Sequence, residues 1–390
     1  MKILQIIPSI SPLTGGPSKS VPALCKSLAK LGHAVELWAT DYWSETRQAQ
    51  EVDDRYSDGY KTVVYRHKTA LYAPDLPSSR QLVQAIEAAH KSFDLVHVHS
   101  LWNPVATFSM RALRKRRHPY CLSPRGVLDP VVLARNRWKK IPWMWFWDRA
   151  NVEGASLLHW TSATEYEKAC RSGWRFASSV IAANVLDLEE WHELPSPESF
   201  EQAFPEVCKK EVILFVGRIN WVKNIDLLIR ALALIREKRP SAMLVCAGPD
   251  NDNYQPELVQ IAESLGLKDS VLFTGMLKHD ALKAAYARAQ VFTLVSKKEN
   301  FGMSAAEALA SGLPLLLSEG VDMGKEWPAY DFIRRVKEDP AAIASELLAM
   351  LERTSRIGTP DPDARALASA QWGLSSTSKL VDAYREVLDI

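Results

Sequence analysis

Short apolar and β-branched runs alternate with stretches of helical periodicity along this 390-residue chain, and the alternation occurs twice over. In the first half the runs are Ile3 to Ile7, Val35 to Ala39, Val63 to Arg66, Leu95 to His99, Tyr120 to Ser123, Leu157 to Thr161 and Val180 to Ala182. Between the first two, Val21, Leu24, Cys25, Leu28 and Leu31 keep helical spacing, and Gly32 ends the helix. The second half repeats the pattern with Val212 to Val216, Met243 to Cys246, Val271 to Thr274, Val291 to Val295 and Pro314 to Leu317. Strands alternating with helices build a doubly wound parallel sheet covered on both faces, so the fold class is α/β with two such domains and a cleft between them. The expected division is 1–187, a linker over 188–210 where Pro195, Pro197 and Pro205 break the periodicity, and 211–372. A final helix is expected within 373–390, where Leu374 to Leu388 regain helical spacing.

Composition narrows the function classes. Lys and Arg number 48 against 46 Asp and Glu, so no basic excess drives counterion release from a nucleic acid, and none is expected as a partner. The five cysteines are dispersed without CxxC spacing, which suits reduced thiols used as small core residues. Met1-Lys2 runs directly into the first strand without the charged lead and apolar run of a secretory signal, and no stretch of about 20 apolar residues is present. A cytoplasmic protein is expected.

Two loops carry candidate chemistry. The strand Val212 to Val216 exits through Gly217-Arg218, and a helix with Ile225, Leu228, Ile229, Leu232 and Ile235 on one face follows Lys223-Asn224. Arg218 and Lys223 thus bracket a strand-to-helix loop, where a forked guanidinium, a flexible ammonium and a helix start make a site for a diphosphate. Taken alone, both residues also read as solvated loop charges. Further along, Glu299 follows the strand Val291 to Val295, and Glu307 lies eight positions on, inside a helix over Ser304 to Ala310. Ligands of open α/β sheets bind at strand carboxyl ends. Two carboxylates spaced in this way can hold different ends of one elongated ligand by accepting bonds from its hydroxyls.

Gly217-Arg218 with Lys223-Asn224, followed by Glu299-Asn-Phe-Gly-Met-Ser-Ala-Ala-Glu307, resembles the donor site of the retaining glycosyltransferases of family 4, which have the GT-B fold. The likeness extends to Gly15-Gly16-Pro17, Asp94-Leu-Val-His-Val-His99, Ser162-Ala-Thr-Glu165, Asn184-Val-Leu-Asp187 and Phe273-Thr-Gly275. By this resemblance Arg218 and Lys223 neutralise a nucleotide diphosphate, Glu299 contacts the donor sugar and Glu307 holds the ribose. Gly15, Gly16, Gly217, Gly275, Met276, Asn300, Phe301, Gly302, Met303 and Ser304 complete the donor-binding set. The resemblance implies two Rossmann-like domains, a C-terminal helix crossing back to the first, no metal, and no cofactor beyond the nucleotide-diphosphate sugar that serves as co-substrate. Asp53-Asp54 reads as solvated charge in a polar loop rather than a metal-binding pair.

In the first domain His99 ends a strand and is expected to point into the cleft, where a neutral imidazole can bond a sugar or an acceptor. His97 lies one step deeper on the same face and reads as a hydrogen-bonded structural residue. Glu165 belongs to a capping-box pattern, with acceptor contact as the alternative. Ser123-Pro-Arg-Gly-Val-Leu-Asp-Pro130 places Arg125 at another strand end and resembles bacterial relatives that build exopolysaccharide, colanic acid or O-antigen on a polyprenyl-diphosphate-linked saccharide. Arg125 then binds the acceptor's diphosphate, or else makes a structural salt bridge. From Arg111 to Arg149 the chain has eleven Lys or Arg against two Asp, interleaved with Trp138, Trp143, Trp145, Phe146 and Trp147. Such a stretch suits a peripheral membrane surface, and it suits equally aromatics buried on a sheet beneath a solvated helix face. Two other function classes stay in view: a catalytically idle GT-B binding protein, against which the complete charged set argues, and a dinucleotide-dependent oxidoreductase, for which no G-x-G-x-x-G follows the first strand.

Overall fold

The computed structural model describes residues 1–43, 53–69, 76–134, 137–353 and 358–389, with only the backbone of 53–55, 137 and 139. The chain forms two compact units, residues 1–186 with 372–390, and residues 187–371. Each is an α/β domain built on one sheet, so the two-domain α/β expectation holds.

The first unit contains β1 (Lys2–Ser9), β2 (Ala34–Thr40), β3 (Asp53–Ser57), β4 (Tyr60–Tyr65), β5 (Leu95–His99), β6 (Tyr120–Ser123), β7 (Leu157–Trp160) and β8 (Ser179–Ile181). Their order across the sheet is β3-β4-β2-β1-β5-β6-β7-β8. Every pairing is parallel except that of β3 with β4. Because side chains alternate along a strand, β1 sends Leu4 and Ile6 to one apolar layer and Ile3 and Ile7 to the other. The second layer is closed by the helix Pro17–Lys30 and by the C-terminal helix Leu374–Leu388, which contributes Leu380, Val381 and Tyr384. Ser27 and Thr377 hydroxyls bond at 2.7 Å between those two helices. The last helix therefore belongs to the first unit's core.

The second unit holds β9 (Glu211–Val216), β10 (Ala242–Ala247), β11 (Val271–Gly275), β12 (Val291–Leu294), β13 (Leu315–Ser318) and β14 (Ile333–Val336), ordered β11-β10-β9-β12-β13-β14 and wholly parallel. Residues 188–210, expected as a linker, instead carry the helices Glu189–His192 and Pro197–Ala203, and they fold onto this unit. Buried Arg288 anchors them through Glu201 Oε1 at 2.6 Å and the carbonyls of Val207 and Lys210.

Asp53-Asp54 is corrected from a polar loop to the start of β3, an antiparallel edge strand joined to β4 across Asp58-Gly59. Both turn residues have positive φ, 52° and 82°, as a two-residue hairpin turn of the type Asp-Gly favours. The carboxylates of this pair lie outside the described residues. Cys25, Cys121 and Cys246 are buried, while Cys170 and Cys208 are exposed. Among the described residues no helix is long and apolar enough to cross a membrane.

Candidate functional site

In the second sheet β9 is flanked by β10 on one side and β12 on the other, so the strand order reverses between β9 and β12. Loops leaving the carboxyl ends of two such strands diverge to opposite faces and open a crevice for a ligand. The loop after β9 holds Gly217, Arg218 and Lys223, and the loop after β12 holds Glu299. Asn220 Oδ1 accepts from the Val222 amide at 3.2 Å and shapes the turn Trp221–Lys223. Asn224, buried and left-handed at φ 53°, starts the next helix and donates from Nδ2 to the Val295 carbonyl at 2.9 Å. The Lys297 amide donates to the Val222 carbonyl at 2.8 Å. These bonds stitch the two loops together at the switch point.

Lys223 Nζ consequently donates to Glu299 Oε2, in an ion pair with both side chains partly buried. Arg218 is exposed. The Glu299 backbone is fixed from the other side, its amide donating to the Gly320 carbonyl and its carbonyl accepting from the Asp322 amide, each at 2.9 Å. The helix Met303–Ala310 begins after Gly302, which is left-handed at φ 79°, and the amides of Met303 and Ser304 head it without intrahelical acceptors. Asn300 is half-buried and Phe301 buried at this entry. One turn further in, Glu307 is buried and accepts from the Tyr286 hydroxyl at 3.0 Å. Burial and the adjacent Glu307 carboxylate hold the Tyr286 phenol well above its ordinary pKa, so it remains a donor. Gly275, at φ 68°, ends β11 beside half-buried Met276, and its carbonyl accepts from Gly248 at 2.8 Å.

The first sheet reverses between β1 and β5. Gly15, in the loop after β1, has φ 94°, a conformation that favours glycine; Gly16 is helical and needs none. His99 departs from expectation. It is fully buried, because its face of the sheet is the one covered by the helices Pro17–Lys30 and Leu374–Leu388. Arg125 Nη2 donates to His99 Nδ1 at 3.0 Å, which leaves the proton on Nε2 to be donated to Gln5 Oε1 at 2.7 Å. Both ring nitrogens are thus engaged inside the unit. His97 is bonded as expected, its Nδ1 2.7 Å from the Tyr384 hydroxyl, and its ring centroid lies 4.1 Å from that of His99 and 5.3 Å from that of His159. Burial holds all three imidazoles below the usual histidine range, His159 at about 3, and the neighbouring Arg125 charge adds to the effect.

Arg125 makes no salt bridge among the described residues. Its guanidinium donates to Asn184 Oδ1, to Ser20 Oγ at 3.3 Å and to His99, and burial lowers its pKa to about 10. With Ser20 and Asn184 it lines a small pocket that also includes His159 and Ser376. One half of the expected capping box forms, Ser162 Oγ accepting from the Glu165 amide at 3.1 Å, while the carboxylate reaches one residue further back, to Thr161. The Glu165 carboxylate accepts from the Gly126 amide, the Thr161 amide and the Thr161 hydroxyl at 2.5, 2.8 and 2.6 Å. Those three bonds correct the acceptor-contact alternative, since the buried carboxylate is spent on fixing the Arg125 loop.

Residues 15–184 match the family described as glycosyl transferase 4-like domain, and residues 198–352 match glycosyl transferases group 1. The chain is a GT-B glycosyltransferase of the group 1 and family 4 type. This glycosyltransferase is 36% identical over 109 residues to an uncharacterized glycosyltransferase of Methanocaldococcus jannaschii, a stretch that spans 28% of this chain and 27% of that protein. Along 99% of its length it is 25% identical to the D-inositol 3-phosphate glycosyltransferase of Corynebacterium urealyticum, covering 96% of that relative. Its fold matches a crystal structure of Anabaena HepE in complex with UDP and glucose, with a TM-score of 0.74, 19% identity and 98% of each chain covered.

Two glycines of the glycosyltransferase escaped the motif reading. A Cβ on Gly248, whose φ is 153°, would meet the Gly217 carbonyl oxygen at 1.9 Å, and one on Gly320 would meet the Ser296 carbonyl oxygen at 2.4 Å. Both let backbones cross closely beneath the Arg218 and Glu299 loops. Gly248→Ala is expected to lower stability by about 2 to 4 kcal/mol, because neither the conformation nor the space admits a methyl group. Calorimetric unfolding of the variant checks this, and an unchanged midpoint contradicts it.

Proposed function

We propose that the chain moves a hexosyl group, with retention of anomeric configuration, from a UDP- or GDP-sugar to a saccharide carried on a polyprenyl diphosphate, as in bacterial surface polysaccharide synthesis. The observation that carries the reading is the meeting of Lys223 and Glu299 at the switch point of the second sheet, with Arg218 exposed in the same loop as Lys223. Transfer requires that the bond between the anomeric carbon and phosphate break as the acceptor oxygen arrives on the same face. Negative charge then accumulates on the departing diphosphate, and fixed donors aimed at that charge lower the barrier. Arg218, Lys223 and the amides of Met303 and Ser304 supply such donors, so the reading needs no metal.

On donor binding the Lys223–Glu299 pair opens. The ammonium goes to the diphosphate and the carboxylate to the sugar hydroxyls, while Glu307, held by Tyr286, serves the ribose. Arg125, presented by the Glu165-fixed loop, is assigned to the acceptor. His99 acts through Arg125 rather than on substrate, since it orients the guanidinium from behind. An acceptor on a lipid places the enzyme at the cytoplasmic face of the cell membrane.

Product analysis tests this reading, with UDP- and GDP-hexoses offered to a polyprenyl-diphosphate-linked saccharide and to inositol phosphate. Transfer to the lipid-linked acceptor supports it. Transfer to inositol phosphate alone keeps the donor half and replaces the acceptor half, an outcome the corynebacterial relative's name makes worth including. No transfer from any donor, with donor binding intact, returns the idle binding protein.

A further inference from the structure

The segment Val131 to Phe146 contains Arg135, Arg137, Lys139 and Lys140 and no Asp or Glu. It forms the helices Pro130–Ala134 and Arg137–Trp143 and runs into a π-helical turn, Met144–Asp148. Its aromatics divide by face. Trp143 Nε1 donates to Thr107 Oγ1 and Asp148 Oδ2, both at 3.1 Å, and Trp143 and Trp147 pack on each other and on Phe108. Asp148 is buried and also accepts from Thr107 Oγ1 at 2.7 Å and from the Trp102 amide at 3.2 Å, which locks this inner face to the helix Pro104–Lys115.

The outer face is of the opposite kind. Trp138 is 71% exposed, Trp145 76% and Phe146 75%, with Val131 and Ile141 exposed beside them. Trp138 and Ile141 stand three positions apart on the helix Arg137–Trp143, and Trp145 and Phe146 follow on the π-helical turn. Elsewhere the exposed large apolar side chains among the described residues are dispersed, as at Trp43, Trp221 and Leu374. Large apolar groups gathered on an exposed face mark an interaction site, and scattered ones do not.

We propose that the exposed face formed by Val131, Trp138, Ile141, Trp145 and Phe146 is a foot that docks on an anionic lipid bilayer, with Trp138, Trp145 and Phe146 entering the interfacial layer. Charge complementarity selects this occupant: the sequence of the segment carries four cations and no anion, and Lys and Arg clustered in such a stretch are drawn to a negative headgroup plane. Indoles and phenyl rings occupy the boundary between headgroups and chains. The inner tryptophans hold the foot to the domain and take no part in lipid contact. The proposal rests on the lipid-linked acceptor reading for its purpose but not for the binding itself, so vesicles without any acceptor separate the two.

The test is co-sedimentation of the full chain with phosphatidylcholine vesicles with and without phosphatidylglycerol. The wild type pellets with the phosphatidylglycerol vesicles, and added salt weakens the association. Trp138→Ser/Trp145→Ser/Phe146→Ser lowers the partition coefficient at least tenfold with an unchanged unfolding midpoint, whereas Trp221→Ser, a control exposed aromatic elsewhere, leaves it alone. Should the triple variant lose its midpoint, Trp145→Ser alone carries the test, with a several-fold loss expected. The proposal is overturned if the wild type stays in the supernatant with both vesicles, or if the folded variants pellet like the wild type. It is equally overturned if light scattering shows a wild-type dimer that the triple substitution makes monomeric, which would assign the face to a second copy of the chain.

Discussion

Lys223→Ala is expected to reduce kcat/KM for sugar transfer by at least two to three orders of magnitude while leaving the fold intact. The two halves of this expectation have different physical sources. In the structure the ammonium is paired with Glu299, and both side chains keep some contact with solvent. Pairs of that kind contribute about 0 to 1 kcal/mol to stability, so the unfolding midpoint moves little. In the proposed transfer the same ammonium would face the charge that develops on the departing diphosphate, and removal of one such donor costs about 3 to 4 kcal/mol. Steady-state kinetics with the donor identified by the product panel, beside thermal unfolding of the same variant, separates the two. Wild-type turnover in the variant would remove Lys223 from the site.

The second large effect is on stability and follows from the buried imidazoles. His97, His99 and His159 all titrate below the ordinary histidine value of 6.5 in the folded chain, chiefly through burial. Below about pH 6.5 the unfolded chain therefore binds protons that the folded chain does not, and stability falls as pH drops. Each such group costs about 1.4 kcal/mol per pH unit, so three cost about 4 kcal/mol by pH 5.5. Asp148 works the other way. Burial raises its carboxyl to about 6, so the folded chain takes up that proton first and recovers about 1 kcal/mol over the same interval. Denaturant unfolding should thus show a net loss of at least about 3 kcal/mol between pH 7.5 and 5.5, to which the lowered His33 and His118 add, and His159→Gln should lessen that loss by about 1.4 kcal/mol. Stability that is level across this range would contradict the assignment of three neutral histidines.

Much of the fold was legible because its strands are buried on both faces and read as short apolar runs bounded by Gly, Pro or Asp. The helix Leu374–Leu388 has the bounds its periodicity indicates. The strands not anticipated, Asp53–Ser57 and Ile333–Val336, lie at sheet edges, and polar residues in their sequences replace the apolar run. For the first of them a readable signal existed in the Asp58-Gly59 turn, since such a pair joins two strands.

The site divides in the same way. Arg218, Lys223 and Glu299 stand in loops whose place after a strand is a local property of the sequence, and the structure brings Lys223 and Glu299 together. His99 was misplaced because its surroundings are not local. Gln5 is 94 positions away, and the helix that covers this face of the sheet lies nearly 280 positions further along the chain. The alternation rule located the face on which His97 and His99 both lie, but only the path of the C-terminal helix determines that the face is closed. Tyr286 and Gly248 were likewise silent, since a phenol 21 positions from Glu307 and a glycine beneath another strand's loop acquire meaning only through packing.

On the proposed reading the second unit binds a nucleotide diphosphate at the Arg218, Lys223 and Glu299 loops. Thermal unfolding in the presence of UDP, GDP and NAD tests it most directly, because a ligand bound only by the folded state raises the midpoint in proportion to the logarithm of its excess over Kd. The midpoint should rise with UDP or GDP, and Lys223→Ala should abolish the rise. A rise with NAD alone, or one that persists undiminished in Lys223→Ala, would remove the diphosphate from these loops.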